Sequence, residues 1–213
     1  MSPIDWSLYL VTDPGLAGGR DNVADIAVAA CRGGATVVQL RDKEASDAEL
    51  LPYARRLQEE LGQIPLFIND RVELAAELGC HLHVGQDDLS VAEARSLLAD
   101  DALVGLSVGS EEELDAALSA TGAARPDVLG IGPVFSTATK ANAPAGIGVE
   151  AAATLAGRAK EAGMPAVAIG GLKAHNVAEL KGSAFAGVCV VSAIMAAEDP
   201  ASAASELVAA FRR

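Results

Sequence analysis

The sequence is poor in aromatic residues: four Phe, two Tyr and one Trp make up 3% of 213 residues. Apolar residues nevertheless reach 51%, so a sizeable core must come from aliphatic side chains, and global disorder is not expected. Positive charge is also scarce. Sixteen Lys and Arg stand against 29 Asp and Glu, giving a formal charge of −13 and a sequence pI near 4.5. That balance argues against non-specific nucleic-acid binding, which needs a basic face. It does not exclude a small anionic ligand, because a few local cations outweigh net charge at short range. Cys31, Cys80 and Cys189 are odd in number, far apart and in no metal-ligand spacing. Reduced, buried thiols in a cytoplasmic protein are expected. Long hydrophobic runs are missing too. The longest uncharged apolar stretch, residues 183–197, is too short to span a bilayer; it reads as a buried strand leading into a loop and a short helix. The N-terminus carries Asp5 and no basic stretch, so no secretory signal is expected. No Ser-His-Asp or Cys-His nucleophile pattern is present. His81 and His83 have no third ligand nearby in sequence and read as structural histidines.

What is present is an alternation. Short β-branched runs recur, each followed by an Ala/Leu/Glu-rich segment of helical period. Strands are predicted at 8–12, 36–40, 65–69, 82–84, 103–107, 128–132, 166–169 and 187–191. Helices are predicted at 22–32, 46–61, 72–78, 90–98, from 110, 150–162, around 176–180 and 200–211. Ser46 with Glu49, and Ser110 with Glu113, have the spacing of a capping box. In the second segment Ala24, Ala27, Val28 and Cys31 share one face. Continuous apolar strands suit a parallel sheet covered by helices, and eight strand–helix units suggest a closed α/β barrel, the (β/α)8 TIM barrel. An open doubly wound sheet is the alternative. No composition break marks a linker, so residues 1–213 are expected to form one barrel domain. One long loop, 133–148, is expected to be functional.

The polar residues collect where the strands end, which is the active-site face of such a barrel. Gln39, Arg41 and Lys43 alternate with Leu40 and Asp42, so an extended segment points all three the same way. Two cations and an amide suit a phosphate or diphosphate attached to a polar ring; paired surface charge is the other reading. Asp70 and Asp88 end neighbouring strands. Beside a diphosphate site, two carboxylates suit Mg²⁺; alternatively each caps the following helix. Gly170-Gly171 and Val191-Ser192 lie where this barrel usually binds phosphate. Thr137, Thr139 and Lys140 offer two hydroxyls and a cation on the long loop.

Taken together, these segments resemble the thiamine-phosphate synthase family. The resemblance runs from Leu8-Tyr9-Leu10-Val11-Thr12-Asp13 to Val191-Ser192-Ala193-Ile194. Its specific elements are Val38 to Lys43, Ile68-Asn69-Asp70, Val84-Gly85-Gln86-Asp87-Asp88, Gly132-Pro133-Val134-Phe135 and Thr137-Ala138-Thr139-Lys140. The resemblance implies a cytoplasmic transferase of thiamine biosynthesis. Such an enzyme joins hydroxymethylpyrimidine diphosphate to a (carboxy)thiazole phosphate and releases pyrophosphate. It implies that Gln39, Leu40, Arg41, Asp42, Lys43, Asn69, Ser107 and Lys140 hold the pyrimidine diphosphate. Arg41, Lys43, Lys140 and Ser107 would serve the chemistry. Thr137, Ala138, Thr139, Gly171, Val191 and Ser192 would bind the thiazole phosphate, and Asp70 and Asp88 would ligate Mg²⁺. Its partners would be small phosphorylated molecules, with no nucleic acid or membrane, and a homo-oligomer is compatible with everything above. The expected chemistry is loss of diphosphate first, then capture of the pyrimidine-methyl cation by the thiazole nitrogen. One departure stands out: after Ser107 the family usually shows a residue and then His, whereas this chain has Val108-Gly109. A related barrel that isomerises thiazole phosphate relies on a His in that region, so Gly109 argues against that rival.

Overall fold

Side chains alternate along an extended strand, and here the alternation sorts residues into two separate cores. Tyr9, Val11, Val37, Phe67, Val128, Val167 and Cys189 pack together. Their strand neighbours Leu8, Leu10, Val38, Leu40, Ile68, Leu82, Leu129, Val188 and Val190 join a second, larger cluster with the helices. The first set fills the inside of a barrel and the second lies between the strands and their helical cover. In a computed structural model, which describes residues 4–137 and 145–212, eight parallel strands close this barrel in chain order. They are β1 (Leu8–Val11), β2 (Val37–Leu40), β3 (Leu66–Asn69), β4 (His81–Val84), β5 (Val104–Val108), β6 (Val128–Ile131), β7 (Ala166–Ile169) and β8 (Gly187–Val190). Closure is made by β1 on β8, with Tyr9 opposite Cys189.

The cover consists of α1 (Val23–Arg32), α2 (Asp47–Leu61), α3 (Val72–Leu78), α4 (Val91–Leu97), α5 (Glu111–Ser119), α6 (Val149–Glu161), α7 (Ser192–Met195) and α8 (Pro200–Arg212). The expected closed barrel is therefore the observed one. Helix starts follow their caps. Ser46 with Glu49 and Ser90 with Glu93 form complete capping boxes. At α5 only half of the box forms: Ser110 Oγ accepts from the Glu113 N–H, but the Glu113 carboxylate accepts from Gly109 N at 2.6 Å. Alanine lets helices approach closely. In α1 the buried face is Val23, Ala24, Ala27 and Ala30; Val28 and Cys31 lie at its edge. A Cβ on Gly33, at the end of α1, would fall 2.1 Å from the Ala201 carbonyl. After β7 the predicted helix is a 3-10 turn, Val177–Leu180. Among the described residues no helix is long and apolar enough to cross a membrane.

Three of the seven aromatics meet at one place, with a histidine. Trp6, Tyr9, Phe67 and His81 form a chain of ring contacts with centroids 4.9–6.2 Å apart. Trp6 precedes β1 and His81 begins β4, so this cluster sits at the strands' N-terminal end. His81 Nδ1 accepts from Leu103 N at 3.1 Å, and burial holds its pKa below the ordinary imidazole value. The polar residues considered next lie at the opposite end.

Candidate active site

Period-two alternation past β2 separates its polar residues into two groups. Gln39 points into the barrel, where its Nε2 donates to the Tyr9 hydroxyl at 2.9 Å. Beyond the strand, Arg41 leans toward β1, with Nη1 4.0 Å from the Asp13 carboxylate. Lys43 leans the other way and pairs with Asp70 at the end of β3. Leu40 and Asp42 face outward and are buried. The Asp42 carboxylate is occupied: it accepts from Arg20 Nε at 2.5 Å and from the N–H groups of Glu44 and Ala45. Burial raises its pKa, but Arg20 and these two N–H groups outweigh that and hold it below the ordinary value. Asp42 thus shapes the 42–45 turn that carries Lys43, on the side away from the Asp70 carboxylate.

Asp70 is the one non-glycine residue with positive φ among those described, at 61°. This left-handed geometry costs an ordinary residue about 1–2 kcal/mol, and Asp tolerates it better than most. Its N–H donates to the His83 carbonyl of β4 at 2.9 Å, and Arg71 N donates to the Asn69 carbonyl at 2.8 Å. The chain is pinned in a bend that lifts the carboxylate off the strand end. Neither aspartate caps a helix. The residue preceding α3 is Arg71, with no side-chain cap bond, and α4 is capped by Ser90. Instead, Asp88 Oδ2 accepts from Gly85 N at 2.8 Å and its carboxylate lies within hydrogen-bonding reach of Asp70. Desolvation, and then Asp70 itself, raise the Asp88 pKa above the ordinary carboxylate value, against Gly85 and Lys43, which lower it. Two hard oxygen donors facing one another beside a lysine can accept a divalent cation, which relieves their repulsion. Among the described residues no third His, Cys, Asp or Glu joins them. That fits Mg²⁺, which keeps several waters and takes substrate oxygens.

Across the mouth, Ser107 ends the inward face of β5. Its Oγ lies 3.0 Å from His83 Nε2 in a hydrogen bond, and its carbonyl accepts from Gln86 Nε2 at 2.6 Å. The His83 ring fits because two neighbouring inward positions have no side chain. A Cβ at Gly105 would lie 2.4 Å from His83 Nδ1, and one at Gly130 3.3 Å from Cε1. Asn69, opposite His83 in the ladder, adds its amide at the end of β3.

On the far side, the chain after β6 folds directly onto the end of β7. Val134 N donates to the Ile169 carbonyl at 2.8 Å, and Phe135 N to the Gly170 carbonyl at 3.0 Å. Gly170 and Gly171 have φ of 101° and 66°, and a Cβ on either would lie within 2.7 Å of Pro133 or Phe135 atoms. These glycines admit the neighbouring loop. Thr137 is at the edge of the described residues, half-buried; Ala138, Thr139 and Lys140 lie outside them. Val191 and Ser192 begin the turn into α7.

A family model for thiamine monophosphate synthase matches residues 8–194. The chain belongs to the thiamine monophosphate synthase family. It is 45% identical over 208 residues to the thiamine-phosphate synthase of Azorhizobium caulinodans, covering 96% of this chain and 94% of that one. It is 47% identical over 209 residues to the thiamine biosynthesis multifunctional protein ThiED of Corynebacterium efficiens. That match covers 95% of this chain but only 28% of the relative, so the chain spans little more than a quarter of that longer protein. A solved structure of thiamine phosphate pyrophosphorylase from Pyrococcus furiosus superposes with a TM-score of 0.84 at 30% identity, covering 97% and 96% of the two chains. Thiamine-phosphate synthases are transferases, and the family resemblance read from the motifs is borne out.

Within this synthase-family barrel, the structure brings in side chains that the sequence reading did not count among the site residues. Arg20 holds Asp42. Gln86 ties the β4 loop to β5. Glu113 reaches back to the Gly109 N–H, where a Cβ would stand 3.1 Å from the Gly132 carbonyl and 3.7 Å from the Glu113 carboxylate. Lys173 donates from Nζ to Ser192 Oγ at 2.8 Å, across the β7 and β8 loops. For Arg20, Gln86 and Lys173 the signal available was only a polar residue, because their partners are 19–22 residues away; Glu113 carried a capping-box signal that pointed to a different partner.

Proposed function

We propose that this chain is a thiamine-phosphate synthase, joining hydroxymethylpyrimidine diphosphate to a thiazole phosphate with release of pyrophosphate. The observation that carries the reading is the juxtaposition of Lys43, Asp70 and Asp88 at one edge of the barrel mouth, in a chain of this family. Gln39, Asn69 and Ser107 line the inner wall and position the pyrimidine ring. Arg41 and Lys43, with Lys140 from the long loop, hold the diphosphate oxygens. Lys43 exchanges its contact with Asp70 for one with the diphosphate. Leu40 and Asp42 contribute backbone and turn geometry, since their side chains face outward. Thr137, Ala138, Thr139, Gly171, Val191 and Ser192 receive the thiazole phosphate.

Asp70 and Asp88 would hold Mg²⁺, and the bound ion would supply neutralisation of charge on the leaving pyrophosphate. The side chains do the rest. Fixed cations stabilise negative charge as the C–O bond to the diphosphate breaks, and the inner wall keeps the pyrimidine-methyl cation facing the thiazole nitrogen. Capture by that nitrogen forms the new C–N bond, so no side-chain nucleophile is needed. Three free thiols, with burial pushing Cys31 and Cys80 up to about 11, suit a reducing cytoplasmic setting. The test is incubation with both substrates and Mg²⁺, with thiamine phosphate and pyrophosphate quantified. Both are expected in equal amounts. Folded protein that forms neither, or that isomerises the thiazole phosphate without metal, would overturn the proposal.

A further inference from the structure

Among the described residues, Lys173 is a cation on the loop after β7 with no carboxylate within ion-pairing distance. Its backbone is fixed: Lys173 N donates to Asn176 Oδ1 at 2.8 Å, and Asn176 Nδ2 donates to the Gly171 carbonyl at 3.0 Å. Asn176 is buried, so the turn after β7 is held from within. From this turn the half-buried side chain crosses to the next loop and donates to Ser192 Oγ at 2.8 Å. The chain has almost twice as many acids as bases, 29 against 16. Even so, among the described residues no carboxylate lies within 4.0 Å of Lys173, whereas Arg20, Lys43 and Arg71 near the mouth are all ion-paired.

A part-buried ammonium held against a neutral hydroxyl loses hydration and rotamer freedom without electrostatic return. An anion supplies that return. The hydroxyl of Ser192 accepts from Lys173, so its own O–H remains to donate, and the ammonium keeps further hydrogens. The two groups meet where the β7 and β8 loops come together, the position at which barrels of this architecture bind phosphate. We infer that Lys173 is a phosphate ligand for the thiazole substrate, an inference that rests on the proposed synthase reading. Lys173 Nζ donates to one phosphate oxygen and the Ser192 hydroxyl to another. The pair makes the site specific for the phosphorylated thiazole over the corresponding alcohol.

The experiment compares wild type, Lys173→Met and Lys173→Arg with each substrate varied in turn. Lys173→Met is expected to raise KM for thiazole phosphate about tenfold to a hundredfold, the loss of one charge-assisted hydrogen bond. Its kcat and its KM for the pyrimidine diphosphate are expected to stay unchanged. Inhibition by the thiazole alcohol is expected to be the same in wild type and Lys173→Met. Lys173→Arg is expected to recover most of the loss. Equal loss for both substrates, or a fall in kcat at unchanged KM, would show that Lys173 only braces two loops and would overturn the inference. If wild type makes no product, the synthase reading fails, and calorimetry with inorganic phosphate then decides for Lys173 separately. Binding lost in Lys173→Met supports the phosphate site; equal binding in both proteins overturns it.

Discussion

The bend at Asp70 can be separated from the chemistry of its carboxylate. Asp70→Gly and Asp70→Ala remove the same groups: the pairing with Lys43 and the confrontation with Asp88. They differ in the backbone they leave at φ 61°. Alanine occupies that region at about 1–2 kcal/mol, glycine at almost no steric cost. Glycine's freer unfolded chain takes back about 0.4–1 kcal/mol. The net expectation is that Asp70→Ala is less stable than Asp70→Gly by about 0.5–1 kcal/mol, a melting difference of about 1–4 °C for a chain of this size. Thermal melts in chelator, followed by circular dichroism, would measure it without interference from metal. Asp70→Asn should fall near wild type, since Asn also tolerates positive φ. Relative to wild type, losing the Lys43 pair costs little, because Lys43 is 55% exposed and exposed pairs contribute only about 0–1 kcal/mol. Both variants should fail to synthesise thiamine phosphate. An Asp70→Ala protein that melts at or above Asp70→Gly would refute the strain argument. Full turnover in either would remove Asp70 from the metal site.

Further expectations follow from neighbouring contacts. Asp42 has a lowered pKa in the folded state, so its contribution is complete above the ordinary value of 3.8 and is lost as pH falls through the lower, folded value. Urea midpoints from pH 6 to 2 should show that acid loss in wild type and a flatter profile in Asp42→Asn, with the variant weaker at neutral pH by about 2 kcal/mol. Gly105→Ala should cost about 1–3 kcal/mol, because its Cβ would press on His83 Nδ1 at 2.4 Å; turnover should fall with it as Ser107 loses its partner, readable from melts and rates together. Chelation should abolish product formation in wild type and excess Mg²⁺ should restore it, whereas an Asp70→Asn, Asp88→Asn double variant should remain inactive at any Mg²⁺ concentration tested.

The barrel was legible because its strands are apolar on both faces and three of its helices begin at Ser-x-x-Glu signals. The parity argument at β2 held only as far as the strand: Gln39 points into the barrel, but beyond Leu40 Arg41 leans toward Asp13 and Lys43 toward Asp70, not the same way. It could not show that Asp42 is neutralised by Arg20, because a contact 22 residues apart leaves no local pattern. The predicted β4 starts one residue late, at 82; His81 opens the strand, packing against Phe67 and accepting from Leu103 N. The opposite error occurred at 176–180, where the spacing was helical but one buried side chain, Asn176, fixes a turn and a 3-10 segment results. At α5 the capping-box spacing was right and the chemistry was not, since the Glu113 carboxylate is drawn one residue further, to Gly109.

The cluster of Trp6, Tyr9, Phe67 and His81 has a consequence for traffic. It fills the strands' N-terminal end with packed rings. Gln39, His83 and Ser107 lie toward the other end, so on the proposed reading substrates and products would share one route, at the strands' C-terminal end.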